Sequence, residues 1–235
     1  MSPLDDLDWT LERRPRVTRR LHLELDAEGG LVVVAPPRMH EAEVALLLTE
    51  NRRRVDRFLE QARARQLPPL RWQSGETHLF GGEALVLTIH RHHGRGSQVR
   101  VEGGKLVVSL SDPRPEAVRK ALQRWYTKHA RTLFQERFDH WRQAAEWTAG
   151  RPLKLDLRRM KRTWGTCRPN GTIRLNTHLV KAPQSTLDSV ICHELCHLAE
   201  MNHGPRFYAL QERLYPDWRR EKARLRHEGH RYVHE

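Results

Sequence analysis

Long apolar runs are missing from this chain of 235 residues. No stretch approaches the roughly 20 apolar residues that a membrane-spanning helix needs, so no membrane segment is expected. Cysteine is scarce: only Cys167, Cys192 and Cys196 occur. A small, odd number argues against a disulfide scaffold and fits a reducing cytosol. Met1 to Asp8 holds three Asp and no apolar h-region, so no signal peptide is expected and the compartment is read as cytoplasmic. Internal repeats and low-complexity tracts are absent too. Hydrophobic residues make up only 38%, yet apolar periodicity recurs along most of the chain, which excludes a disordered one.

Lysine is the other scarcity. Seven Lys stand beside 35 Arg, and these 42 cations face 29 carboxylates, giving a formal net charge of +13. A basic balance can mark a nucleic-acid or phosphate partner. An arginine skew can also follow from codon composition, and these arginines are spread over most of the chain. Charge alone therefore leaves nucleic acid or a nucleotide open as a partner without selecting it.

The first half reads as strands with one helix. Leu21, Leu23 and Leu25 alternate with polar residues, Glu28-Gly29-Gly30 is a turn, and Leu31 to Ala35 is a second strand. Pro36-Pro37 stops it. From Glu41 to about Arg65, apolar residues fall at helical spacing until Leu67-Pro68-Pro69. Thr77 to Phe80 and the run through Leu85, Leu87 and Ile89 flank Gly81-Gly82. Gln98 to Val101 and Lys105 to Leu110 flank Gly103-Gly104, a hairpin signal. After Asp112-Pro113-Arg114-Pro115 a long amphipathic helix is expected, ending near Gly150-Arg151-Pro152.

In the last third, Leu153 to Leu157 and Thr172 to Asn176 read as short strands around a loop, Lys161 to Gly171. A helix is expected from about Ser185 to Met201, with Ser185 and Asp188 spaced as a capping box. Pro205 starts another helix, and a charged helix follows Tyr215-Pro216. The division expected is a β-rich region with one helix over 1–112 and a region carrying the chemistry over 113–235, the two open to being one continuous domain.

The chemistry concentrates in Cys192-His193-Glu194-Leu195-Cys196-His197, an H-E-x-x-H pattern, with His203 six residues on. At about 100° per residue, His197 falls about 40° from His193, so the two imidazoles share a helix face with the Glu194 carboxylate beside them. Leu187, Ile191, Leu195 and Leu198 cover the opposite face. With 15 His in the chain, the five-residue pattern arises by accident about 0.08 times; requiring His203 lowers that to about 0.005. A straight helix would carry His203 about 15 Å down the axis from His193. The break at Asn202-His203-Gly204 allows the chain to fold back. Three neutral imidazoles leave a fourth tetrahedral position for water, the pattern of a catalytic rather than a closed structural zinc. One Zn2+ per chain is expected from the ligand type, although other first-row ions suit such a site. The metal would bring the pKa of water toward about 7, and Glu194 would accept its proton and deliver it to a leaving amine.

These residues resemble the YgjP-like (WLM/SprT-related) zinc metallopeptidases. The likeness runs through Met160-Lys161-Arg162-Thr163-Trp164-Gly165-Thr166-Cys167, then Leu175-Asn176, Ala182-Pro183, the H-E-L-C-H segment, and Asn202-His203-Gly204-Pro205-Arg206-Phe207. Thr166 stands where Ser is commoner. The order agrees from about Met160 to Tyr215, with a looser likeness back to about Val17. The resemblance implies an α+β fold, a β-rich N-terminal half packed on a helical zincin-like core. It implies zinc ligands His193, His197 and His203, a general base at Glu194, and a peptide or protein substrate. Metzincins share the His spacing, but Glu200 stands at their Gly position and no Met-turn follows.

Glu200 reads either as a partner behind a ligating His or as a solvated helix end. Tyr208, Arg206 and Asn176 are the candidates to stabilise a tetrahedral oxyanion. Trp164 reads as a cleft wall or as core. Lys161, Arg162 and Arg168 read as a phosphate or acidic-substrate loop or as solvated surface. Cys192, Cys196 and Cys167 read best as packing residues. His227, His230 and His234, like His90, His92 and His93, read as surface. Two other functions stay open. One is a metal hydrolase of nucleotides, since members of the family have been proposed to act on UTP. The other is a nucleic-acid-associated protein with structural zinc, since related SprT and WLM proteins process proteins attached to DNA. Oligomeric state is not legible.

Overall fold

A computed structural model of the protein describes residues 7, 9–26, 30–65, 67–160 and 162–235. Glu28 and Gly29 of the expected turn, and Lys161, lie outside the described residues. The chain divides into two compact units, 1–68 and 69–235, at the Pro68-Pro69 pair. Residues 1–68 carry 12 basic and 12 acidic side chains, so the net charge of +13 belongs wholly to 69–235, with 30 basic against 17 acidic. Among the described residues no helix is long and apolar enough to cross a membrane.

The first unit is a three-stranded sheet with two helices. β1 (Trp9–Arg13), β2 (His22–Leu25) and β3 (Leu31–Ala35) lie in the order β1-β3-β2. β1 runs parallel to β3, and β2 antiparallel. α1 (Glu41–Glu50) and α2 (Arg52–Arg65) send Val44, Leu48, Val55 and Leu59 onto Leu31, Val33 and Ala35. The sequence reads Glu41 to Arg65 as one helix, but it breaks at Asn51. There the side-chain Nδ2 and the backbone N–H both donate to the Leu47 carbonyl, the local competition for which Asn is known.

The second unit holds two sheets joined by one long helix. β4 (Thr77–Phe80), β5 (Glu83–Arg91), β6 (Ser97–Glu102) and β7 (Lys105–Leu110) form a sheet in the order β4-β5-β7-β6. Gly103 and Gly104 both take positive φ in the β6–β7 hairpin turn, a conformation that costs glycine little. α3 (Pro115–Ala144) opens with Pro at its first position, where no N–H is missed. Its first half packs Val118, Ala121 and Leu122 on Leu87, Leu106 and Val108. Its second half sends Ala130, Phe134 and Phe138 into a separate core. Residues on both sides of position 112 therefore share this one helix.

That second core holds β8 (Lys154–Arg158), β9 (Gly165–Cys167) and β10 (Thr172–Asn176) in the order β8-β10-β9, with α4 (Gln184–Cys196), α5 (Pro205–Leu214) and α6 (Trp218–Val233). β9 is an edge strand inside the segment expected to be a loop; three residues with no apolar alternation give no strand signal. α4 is buried nearly all round because α3, α5, α6 and β9 surround it. Its N-cap is Pro183, with no side-chain cap, so the expected capping box is corrected. Asp188 is instead pulled outward by Arg137 of α3, in a two-pronged pair at 2.8 and 2.9 Å. A guanidinium is a stronger partner for a buried carboxylate than a helix N–H. Ser185 Oγ accepts from Arg224 at 3.3 Å.

Candidate metal centre

α4 ends at Cys196, five residues before the expected Met201. The N–H groups of Leu198 and Ala199 turn to the carbonyls of Leu195 and Cys196, tightening the chain into a reverse bend. The exposed carbonyls at this end are satisfied from elsewhere. Trp147 Nε1 donates to Leu195 O at 2.8 Å and Arg151 Nη1 to Leu198 O at 2.5 Å. The bend brings His203 back over the last turn of α4, where its ring stacks on His193 at 5.0 Å and 29°.

The three imidazoles of His193, His197 and His203 each offer one ligand nitrogen, and these nitrogens lie within 4.8 Å of one another. Nε2 of His203 is 3.2 Å from Nε2 of His193. Two nitrogens at corners of a zinc tetrahedron stand about 3.3 Å apart, given the usual Zn–N length. The His193–His203 pair therefore matches an edge of a tetrahedral cation site, with His197 near enough to supply a third donor. His197 Nδ1 donates to the Glu200 carbonyl at 3.2 Å, which fixes its tautomer and leaves Nε2 as a lone-pair donor. Burial first, then the neighbouring His197 and His203, holds His193 down at about 4; burial also lowers His197. Imidazoles so placed stay neutral near pH 7, the form a metal needs.

Glu194 is 4% exposed. It lies against Gly165 at the start of β9, whose Cα carries no side chain to meet it. A Cβ built there would come 2.7 Å from Glu194 Cγ and 2.8 Å from Cδ. Burial pushes the Glu194 carboxyl up to about 8. A nearby cation would favour its ionised form and oppose that shift.

The other sequence candidates fall into distinct roles. Asn176 is buried and fully committed. Its Nδ2 donates to Met160 O at 2.8 Å and Thr163 O at 3.0 Å, and its Oδ1 accepts from the N–H groups of Met160 and His178. It has no capacity left for a substrate oxygen; it ties down Met160 and Thr163. Tyr208 on α5 stacks between His203, at 6.3 Å, and Trp218, at 5.4 Å, and its hydroxyl takes no hydrogen bond among the described residues. Arg206 is exposed, with Glu200 Oε1 at 3.9 Å. Trp164 is half-buried and leans on α6, where the bare Cα of Gly229 and the ring of Tyr232 receive it. Arg162 and Arg168 are exposed.

The three cysteines are free thiols. Burial raises Cys192, raises Cys196 to about 12, and raises Cys167 to about 11 with Glu194 adding to the effect. Among the described residues no other group of three His, Cys, Asp or Glu side chains is set to hold a metal.

Three residues receive no role from the sequence, although Gly165 and Phe207 lie in the motifs that carry the family resemblance. Phe207 is fully buried beneath the triad, 4.6 to 4.9 Å from all three imidazole centroids. Gln211, buried one turn farther along α5, lies close enough to influence His193, and its Oε1 has no hydrogen-bond partner among the described residues. Gly165 is the third. Phe207 and Gln211 share a face of α5 at i and i+4, and that spacing is the signal available.

A family model described as YgjP-like, metallopeptidase domain, matches residues 19–228. Comparison with curated proteins finds no match. Among solved structures, the metallopeptidase zymogen abylysin of Pyrococcus abyssi is similar over 39% of this chain and 90% of its own, at 21% identity and a TM-score of 0.36.

Proposed function

The chain belongs to the YgjP-like metallopeptidase family, whose model spans both compact units, and from that premise we propose that it is a zinc-dependent peptidase with Glu194 as general base. The observation that carries the reading is the convergence of three imidazoles on one point, beside a buried carboxylate held against a bare Cα. His193, His197 and His203 would hold the ion. When bound, zinc supplies Lewis-acid polarisation of the scissile carbonyl and acidifies water at neutral pH. The protein's own groups do the rest. Glu194 accepts a proton from the attacking water and passes it to the leaving amine. Tyr208, whose hydroxyl is uncommitted, donates to the developing oxyanion. Phe207 keeps bulk water from beneath the triad, and Gln211 accepts from the His193 N–H and fixes its tautomer.

β9 favours a peptide as substrate. Among the described residues only its β10 side is paired, and an extended peptide can add to the free side as a further strand. Glu194 stands over the first residue of that strand.

The test is a side-by-side assay of the purified zinc-loaded protein on unfolded proteins, a peptide library and nucleoside triphosphates. Peptide cleavage abolished by chelation and restored by zinc is the expected result. Nucleotide hydrolysis without peptide cleavage would refute the peptidase reading.

Gly165→Ala probes the seat of Glu194. The new methyl forces the carboxylate or β9 aside, and a displacement near 1 Å can cost about 10²-fold. We expect a loss of kcat/KM of about that size with zinc content unchanged by elemental analysis. Wild-type kcat/KM in this variant would mean that Glu194 needs no such seat.

A further inference from the structure

The solvent face of α3 carries a row of cations. Lys120, Arg124, Lys128 and Arg131 recur at i, i+4, i+8 and i+11, with Thr127 between them and Arg159 facing them from the end of β8. Together they line a groove of about 480 Å³ with no carboxylate in its wall. At 1.5 Å per residue the four helical cations form a row about 16 Å long, in steps of about 6 Å. The opposite face of α3 is anchored in two cores by Val118, Leu122, Phe134 and Phe138, so the row is held rigid.

Most arginines with close partners in this chain are paired to carboxylates, as Arg137 is to Asp188 and Arg174 to Asp156. In the groove, Lys128 and Arg131 have no ion pair among the described residues, and Arg124 reaches only Ser97 Oγ at 3.1 Å. Lys120 is shared loosely with Glu116 at 3.4 Å, and Arg159 pairs with Glu235. Like charges lined up at helical spacing repel one another, which leaves the free protein with an electrostatic strain that a linear polyanion relieves.

We propose that this groove docks the phosphodiester backbone of a nucleic-acid strand. A row of exposed cations matches a linear array of phosphates, whereas a single small phosphate is held by convergent, buried donors. The groove wall contains no aromatic or large apolar side chain. It therefore offers no base stacking and no wedge for a lipid bilayer, and binding is independent of base sequence. All of the chain's net positive charge lies in this unit, 69–235, which steers a polyanion toward it. The proposal does not depend on the metal centre.

The probe is a fluorescein-labelled 20-mer of deoxythymidine, titrated with the full chain and read by anisotropy at several salt concentrations. Each phosphate neutralised on a single strand contributes about −0.7 to the slope of log K against log salt. The three unpaired cations predict a slope of about −2, the same with and without zinc. Lys128→Glu with Arg131→Glu should weaken binding at least tenfold at low salt and reduce the slope by about 1.4. Arg162→Glu with Arg168→Glu changes net charge equally outside the groove and should weaken binding much less. Circular dichroism and melting check the fold, and Lys128→Gln with Arg131→Gln replaces the reversal if it does not fold. No binding at low salt, equal losses in the two charge-matched variants, or tighter binding to polyglutamate or phosphatidylserine vesicles would each overturn the proposal.

Discussion

Replacing Glu194 with Gln is expected to lower peptide hydrolysis by about 10²- to 10⁴-fold while leaving zinc bound, because the amide keeps the shape of the carboxylate but cannot accept a proton. The candidate ligand nitrogens belong to His193, His197 and His203, so metal analysis of the variant should match the wild type. The same substitution has a second, independent readout in the metal-free protein. Burial raises the Glu194 carboxyl from 4.5 to about 8. Between those values the folded chain holds a proton that the unfolded chain has released. Stability therefore falls as pH rises through this window and levels off above about 8. Each unit corresponds to about 1.4 kcal/mol, so the loss is on the order of a few kcal/mol. The amide in E194Q has no proton to lose. Denaturant titrations at about pH 5 and about pH 8.5 should show the wild type losing stability relative to E194Q by that order. A full-rate E194Q enzyme would remove the general base from the mechanism. Parallel stability profiles would remove the buried, proton-holding carboxyl.

The second large effect is expected from His203→Ala. His203 is the exposed member of the triad and sits in a bend rather than a helix, so its removal disturbs little packing. Losing a group behind a metal ligand already costs about 10- to 100-fold in affinity; losing a ligand outright should cost more. A ligand at about 100 times its Kd stabilises a protein by about 2.7 kcal/mol, which is about 5 to 10 °C for a chain of this size. Melting with and without zinc should show that shift in the wild type and not in H203A. An undiminished shift in the variant would place the metal elsewhere.

What the sequence makes legible follows from how local each feature is. His193 and His197 announce themselves because helical spacing alone puts them on one face. His203 announces itself through the Asn202-His203-Gly204 break. The hairpins at Gly81-Gly82 and Gly103-Gly104 and the long helix from Pro115 are equally local. Contacts between distant segments stay hidden. Gly165 and Glu194 are 29 positions apart, and no periodicity links them. Asn176 reads as a free amide, yet its hydrogen bonds tie the chain behind it. Sequence points to Glu200 through its carboxylate; its backbone carbonyl is what meets His197. Asp188 suits a helix cap by spacing, but Arg137, 51 residues earlier, draws its charge away. Basicity is conspicuous and uninformative until the fold sorts it, since 1–68 is neutral and one face of α3 is not.

Gly229 bears on the order in which the protein comes into being. The indole of Trp164 rests on that bare Cα, and Tyr232 flanks it. Trp164 immediately precedes β9, the strand that seats Glu194. The triad is synthesised by residue 203, but this support arrives only with residues 229–232. At about 5 to 20 residues per second, that leaves an interval of about 1 to 6 s. During it, a nascent chain has all three imidazoles of the candidate metal centre and no finished wall beside Glu194. Until the segment that braces Trp164 has been made, the wall of β9 beside the Glu194 carboxylate is without its backing.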